Sequence, residues 1–350
     1  MSRPIGYYVH HQGDGHRQRA LAIARAADCP ITVLGTGLAG RTGDVAVVDL
    51  PDDRDSGGAF DGRDGTERPT SLHYAPIDHD GVRRRVARLA DWIAETRPGL
   101  MVIDVSVEVA MLARLASVPT VYVRLNGRRT DRPHLDAFRS ATALLAPFHV
   151  DLDDERTPGP LRHKTFYAPR IVSTGPATHH DEDLVLGVVG RGGGPSDGEL
   201  WAAAARAVPD RRWRIIGPTT VPGILPPNLE LEGWVEDAER RVAQAGLVVG
   251  AAGDGLVSAV LAHARPFICI PEPRPFDEQR AKARRLSALG AAVVLPSWPR
   301  SDQWPSLVAR ASRLEPSACR RLNEPGGPAR VARWLEGLAD GGARTWTRSA

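Results

Sequence analysis

From Pro4 onward, short β-branched runs alternate with amphipathic stretches, and this alternation constrains the fold more than any other feature of the chain. Strand-helix-strand order predicts parallel sheets covered by helices on both faces. Two such series are present. In the first, residues 5–9, 31–34, 45–50, 100–104, 120–124 and 143–146 read as strands, with helices over 16–27, 80–96 and 107–116. In the second, strands are expected over 184–189, 213–216, 229–231, 247–250, 267–270 and 292–295. Its helices are expected over 198–207, 235–245, 256–263 and 278–289, with closing helices over 301–313 and 327–338.

The length of 350 residues suits two domains of roughly 150 residues each, and a hydrophobic content of 42% is enough to fill their cores. The expected division is an N-terminal domain over 1–150, a proline-rich connection over 151–182 with one short strand near 166–172, a C-terminal domain over 183–326, and a last helix and tail over 327–350. Residues 51–69, rich in Gly and Asp, read as a long mobile loop.

Lys and Arg number 45 against 42 Asp and Glu, and a net charge of +3 gives no reason to expect nucleic acid as a partner. Cys29, Cys269 and Cys319 lie far apart without a C-x-x-C pair, which argues against a disulfide framework or a structural zinc and for a reducing, cytoplasmic setting. The stretch MSRPIGYYVHHQ lacks the apolar region of a signal peptide, and no run approaches about 18 uncharged apolar residues, so no membrane span is expected. Arg83, Arg84, Arg85 and Arg88 share a helix with Leu89 and Trp92, a pattern open to peripheral contact with anionic lipid or to an ordinary solvated face.

Two Rossmann-like halves bind ligands in the crevice at the carboxyl ends of their strands, so the loops there are the candidates for chemistry. After the first strand comes HHQGDGHRQRALAIA, in which Gly13 and Gly15 permit a tight turn and free amides at a helix start suit a phosphate or sugar oxygen. His16, where loop becomes helix, is a residue type that can take a proton from a hydroxyl or position a water; a capping or hydrogen-bonded surface histidine would read the same. The dinucleotide fingerprint is absent, since Gln18 holds its third glycine position and Gly35 and Thr36 follow the second strand in place of an acidic residue.

After the first strand of the second half, GRGGGPS places Arg191 beside Gly192, Gly193 and Gly194, a backbone nest with a cation that fits a diphosphate. It lacks the Gly-Lys-Ser/Thr of a Walker A loop. Further on, Gly253, Asp254 and Gly255 open a helix, and Asp277, Glu278 and Gln279 begin another after Pro271 and Pro273. Such side chains cap helices and also bind sugar hydroxyls. Asp104 and Ser106 end a strand where they either touch a substrate or cap the next helix, while Asp151-Leu152-Asp153 reads as solvated charge in the connection and not as a metal motif.

Taken in order, these loops resemble the glycosyltransferases of the GT-B fold, in particular the MurG-like family 28. Gly15-His16 matches the end of that family's first Gly-rich loop, aligning His16 with its proposed general base, and Asn126-Gly127 in VYVRLNGRR matches an Asn-Gly on the acceptor side. Residues 190–194 match the Gly-rich loop of the C-terminal half, and Gly233-Trp234-Val235 the base-binding turn, with Val235 as the candidate. Gly253, Ser258, Pro266, Pro271, Pro273, Gln279 and Ala283 follow the donor-site signature; the family's ribose-binding glutamate falls at Ala259 and its second glutamine at Arg280.

The resemblance implies an α/β protein of GT-B type, two Rossmann-like parallel-sheet domains facing a central cleft. It implies metal-independent transfer from a nucleotide-diphosphate sugar, UDP-linked in the family, to an acceptor hydroxyl on a small molecule, glycan or lipid-linked compound, with no separate cofactor. His16 would be catalytic; Gly13, Gly15, Asp104, Asn126 and Gly127 would meet the acceptor. Arg191, Gly192, Gly193, Gly194, Val235, Gly253, Asp254, Gly255, Asp277, Glu278 and Gln279 would meet the donor. A nucleotide-sugar hydrolase of the PseG kind is the rival, because its G-x-G-H-x-x-R is matched by Gly13, Gly15, His16 and Arg19, with His16 then positioning water. A UDP-sugar 2-epimerase shares the architecture without a second carboxylate set to favour it here, and a non-catalytic sugar or nucleotide binder is the third class.

Overall fold

The computed structural model describes residues 3–10, 15–54, 61–63, 69–171, 180–190, 194–324 and 326–341. In the N-terminal half the elements are β1 (Ile5–Val9), α1 (Gly15–Arg25), β2 (Ile31–Gly35), β3 (Val47–Asp49), β4 (Asp61–Arg63), β5 (Ile77–His79), α2 (Asp80–Thr96), β6 (Leu100–Asp104) and α3 (Val107–Leu115). They continue through β7 (Thr120–Val123), α4 (Arg132–Ser140), β8 (Ala143–Ala146), α5 (Gly159–His163) and β9 (Thr165–Tyr167). A seven-stranded parallel sheet runs β3-β2-β1-β6-β7-β8-β9. The run IGYYV of β1 is buried at every position because both faces of the sheet are covered. Ile5, Tyr7 and Val9 enter one core with α1, and Tyr8 enters the opposite core with Leu89 and Trp92 of α2.

The second half contains β10 (Asp181–Val188), α6 (Gly198–Ala207), β11 (Arg212–Ile216), β12 (Leu229–Gly233), α7 (Ala238–Gln244), β13 (Ala245–Gly250), α8 (Asp254–His263), β14 (Phe267–Cys269), α9 (Glu278–Ala288) and β15 (Val293–Val294). Helices α10 (Trp304–Ala311), α11 (Pro316–Arg321) and α12 (Gly327–Ala339) complete the described chain. The six parallel strands run β12-β11-β10-β13-β14-β15. In the first sheet the winding direction reverses between β1 and β6, and in the second between β10 and β13. A crevice opens outside the carboxyl ends of strands at such reversals, and this positions the site.

Several elements differ from expectation. The short strand expected near 166–172 is β9 at Thr165–Tyr167, and it extends the first sheet beside β8; β4, within the stretch read as a loop, pairs antiparallel with β5. Helix α4 escapes sequence reading because RPHLDAFRS is largely polar; it buries Pro133, His134, Ala137 and Phe138, and Asp131 caps it by accepting from the His134 amide at 3.2 Å. Helix α12 returns to the first domain, where Val331 and Leu335 join the core of β1, and Trp334 stacks on Phe166 of β9 at 4.4 Å.

Burial corrects one charge reading and shows which side of α2 is inward. Asp153 is not solvated: it is buried, accepting from both Arg124 terminal nitrogens at 2.8 Å. In α2, Leu89 and Trp92 lie in the core and Arg85 turns inward to the Tyr8 hydroxyl at 2.9 Å and Asp53 at 3.0 Å, so the apolar side considered for lipid is covered by protein. Among the described residues no helix is long and apolar enough to cross a membrane. Cys29, Cys269 and Cys319 are all buried free thiols, and burial pushes them up to about 11, 12 and 11.

Candidate functional site

Strands β1 and β6 lie side by side, with Val9 opposite Asp104, so the start of α1 faces the end of β6 at the first reversal. There His16 Nδ1 meets Asp104 Oδ1 at 2.8 Å. Asp104 is fully buried; Arg19, one turn after His16, grips both its oxygens, Nε to Oδ2 and Nη2 to Oδ1, each at 3.0 Å. The Tyr7 hydroxyl stands 3.5 Å from Oδ2. Burial alone would raise the Asp104 carboxyl, but the Arg19 guanidinium, and after it His16, outweigh burial and hold it well below the usual carboxylate range. A carboxylate so held accepts the Nδ1 proton of His16 and leaves Nε2 as the basic nitrogen. Nε2 has no partner among the described residues, and the side chain is 15% exposed.

Val105, next to Asp104, has φ of 65°. Left-handed backbone is unfavourable for a β-branched residue and persists where surroundings over-determine it. Ser106 then caps α3, accepting from the Val109 amide at 3.2 Å. Thus the Asp104 and Ser106 pair divides its roles: the serine caps, and the aspartate lies beneath His16.

At the second reversal, Gly253 is the N-cap of α8, and a Cβ built on Gly253, Gly255, Gly15 or Gly194 would meet nothing within 4 Å. Space thus adjoins the start of α8, whose first amides, like those of any helix, have no intrahelical partner. Asp254 is bonded to Lys282 of α9, a lysine only 1% exposed whose Nζ also donates to the Ala252 carbonyl at 3.2 Å. Arg19 Nη1 reaches across from the first domain to within 3.5 Å of Asp254 Oδ2. Burial would raise Asp254, but Lys282 and then Arg19 outweigh it and lower the carboxyl. Two carboxylates and two cations thus form one continuous chain between the domains, with His16 at its open end.

The loop after β7 makes a second bridge. Gly127, at φ of 100°, lies against the C-terminal domain, where a Cβ would collide with the Phe276 carbonyl and sit 2.9 Å from Glu278 Cα. The Arg128 amide donates to Phe276 O at 2.6 Å, and Arg129 pairs with Glu278 at 2.9 Å while its guanidinium lies 4.9 Å from the Phe276 ring. Phe276 and Asp277 are both left-handed, at φ of 60° and 58°. Asn126 is buried and donates to the Leu152 carbonyl at 2.8 Å.

The expected donor residues divide accordingly. Glu278 holds Arg129, and Asp277 holds Arg284 at 3.1 Å. Gln279 is buried, its Oε1 accepting from the Ala252 amide at 3.1 Å and the Glu272 amide at 2.9 Å, so it ties the loops after β13 and β14 together. Val235 is half-buried at the end of β12, beside exposed Trp234. Ala259 faces the core from α8. Gly13, Arg191, Gly192 and Gly193 lie outside the described residues. Sequence reasoning missed Lys282, Phe276 and Arg129. Lys282 carries one local sign, its i,i+3 spacing from Gln279, which puts both on the buried side of an otherwise polar helix.

Nearby, Asp131 bridges His73 Nε2 at 2.8 Å and His134 Nδ1 at 2.7 Å, three side chains close enough to hold a cation. Arg129 Nη1 stands 3.2 Å from His134 Nε2, which sets a positive charge against that use. Burial, followed by Arg129, lowers His134 to about 4.

No family model matches the chain. Over 115 residues it is 30% identical to the UDP-N-acetylglucosamine--N-acetylmuramyl-(pentapeptide) pyrophosphoryl-undecaprenol N-acetylglucosamine transferase of Rhodospirillum centenum, a match covering 33% of this chain and 28% of that one. The chain thus spans under a third of that relative's length. Solved structures match throughout: the spinosyn forosaminyltransferase SpnP with a TM-score of 0.73 at 14% identity over 97% of this chain and 99% of that one, and the MurG of Acinetobacter baumannii with 0.63 at 14% over 96% and 99%. The fold is the GT-B architecture of glycosyltransferases, two parallel-sheet Rossmann-like domains facing a cleft, as the sequence led us to expect.

Proposed function

We propose that this chain moves a sugar from a nucleotide-diphosphate sugar to an acceptor hydroxyl. The observation that carries the reading is the 2.8 Å bond between His16 and buried Asp104, set at one sheet reversal while the open start of α8 occupies the other. In this reading His16 Nε2 takes the proton of the acceptor hydroxyl as its oxygen attacks the anomeric carbon, and the bond from that carbon to the diphosphate breaks. Asp104 holds the reactive tautomer and stabilises the imidazolium that forms. The α8 amides, with Gly194 nearby in sequence to Arg191, would receive the charge that develops on the leaving diphosphate. We include no metal in this mechanism: the fixed N–H dipoles at the start of α8 supply the positive potential, while Arg19 and Lys282 balance the Asp104 and Asp254 carboxylates beside it.

The matched transferases are named for UDP-N-acetylglucosamine, which makes it the first donor to assay. The test is thermal unfolding with UDP-, TDP- and GDP-sugars and NAD, followed by turnover with a panel of acceptors. A donor at about 100 times its Kd should add roughly 2.7 kcal/mol of stability. The expected result is a shift with one donor, acceptor-dependent release of its nucleotide diphosphate, and loss of release but not of binding in His16→Ala. Equal release without acceptor would assign a hydrolase instead, and binding without any release a non-catalytic binder. A shift with NAD alone would overturn the donor site.

A further inference from the structure

We propose that a second cavity, beside the crevice, is a binding site for an anionic group, phosphate or carboxylate, carried on an apolar body. The cavity has a volume of about 310 Å³ and lies between the loop leading from β7 to α4 and the segment that follows β8. That is the carboxyl edge of the first sheet, and strand spacing of about 4.8 Å puts it roughly 10–12 Å along that edge from the end of β1. The volume is at the lower limit of small-molecule sites, about 300 Å³.

Four arginines line it: Arg124, Arg128, Arg129 and Arg156. Three have carboxylate partners, Arg124 with Asp153 at 2.8 Å, Arg129 with Glu278 at 2.9 Å and Arg156 with Asp154 at 2.7 Å. Asp154 is the one acidic residue in the lining itself. Arg128 has no side-chain partner among the described residues; its backbone is fixed by the bond to Phe276 O, so its guanidinium is carried on an anchored stem. Buried Arg124 is already held by both Asp153 oxygens and contributes its charge to the wall, whereas Arg128 is exposed to the cavity. An oxyanion suits the Arg128 guanidinium, because a planar guanidinium matches two oxygens of a phosphate or carboxylate. Thr130 and Thr157 add hydroxyls to the lining, and Phe138 and Leu161 add an apolar wall for the body of the ligand.

Calorimetric titration of the full chain with phenyl phosphate and with benzoate, using benzyl alcohol as the neutral control, tests this without requiring turnover. The difference between wild type and Arg128→Gln reports this cavity whatever the α8 crevice binds. We expect the anions to bind wild type at least about tenfold more tightly than Arg128→Gln, Arg128→Lys to fall between, and benzyl alcohol not to distinguish them. Equal anion affinity in wild type and Arg128→Gln, or no binding of either anion to wild type, would overturn the site. Kinetics then separates the two sources of the anion. A KM that rises in Arg128→Gln for a phosphorylated acceptor but not for a neutral one identifies the acceptor's own group. A change in turnover of a neutral acceptor on adding phenyl phosphate, lost in Arg128→Gln, identifies a separate effector. Failure of transfer with intact anion binding would count against the transferase reading alone.

Discussion

His16 Nδ1 and Asp104 Oδ1 are 2.8 Å apart although 88 positions separate them in the chain. The aspartate is sealed from water and held ionised by Arg19, so it fixes which imidazole nitrogen carries the proton. Asp104→Asn is expected to lower kcat by about a hundredfold or more, with donor affinity little changed. The double variant with His16→Ala should lose little beyond either single one, since the two act as a unit. Steady-state kinetics on the three variants, with circular dichroism as the folding control, checks this.

Arg19 joins Asp104 to Asp254, and its loss strands two carboxylates at once. Arg19→Gln is expected to destabilise the protein by about 3–5 kcal/mol at neutral pH, the usual consequence of removing one partner of a buried pair. Both carboxyls are lowered in the folded state, so their stabilising contribution is present above the ordinary carboxylate range near 4 and is lost as pH falls. The gap between wild type and variant, read from urea midpoints, should therefore narrow on acidification. A gap that stays constant with pH would contradict the assigned pairing.

Gly127→Ala should disturb the contact between the domains and not the core of either. It puts a Cβ against the Phe276 carbonyl at φ of 100°, where an alanine is strained on its own account. A loss of roughly 2–3 kcal/mol is expected. Solution scattering should show a larger radius of gyration than wild type at unchanged helix content.

His134 makes a separate pH signature. The folded protein keeps it neutral down to about 4, whereas the unfolded chain protonates it near 6.5. Between those limits the unfolded state takes up a proton that the native state refuses. Stability is thus full above about 6.5 and declines toward pH 4 by roughly 3 kcal/mol. His134→Gln should flatten that part of the urea-midpoint profile; an unchanged slope would refute the assignment. Below it Asp131, held down to about 2 once the bonds from His134 and His73 outweigh its burial, continues the decline.

The alternating pattern made the two-sheet architecture legible, because a strand buried on both faces must be written as an unbroken apolar run such as IGYYV in β1, and a helix start after it leaves free amides wherever it occurs. On those local grounds His16, Gly15, Gly253 and Asp254 could be placed at the carboxyl ends of strands from sequence alone. Helix α4 could not, since a polar surface helix shows only a narrow apolar stripe. The partners were beyond reach for a different reason. That Asp104 lies under His16 follows from β6 pairing with β1, a choice made by the packing of two cores and not written in either strand. The same holds for Lys282 against Asp254 and for Phe276 against Gly127, contacts between residues far apart in the chain. Sequence determined what most segments are and which of their ends open on the crevice; tertiary packing decided which charges meet there, because only the folded interior excludes water well enough to make those pairings matter.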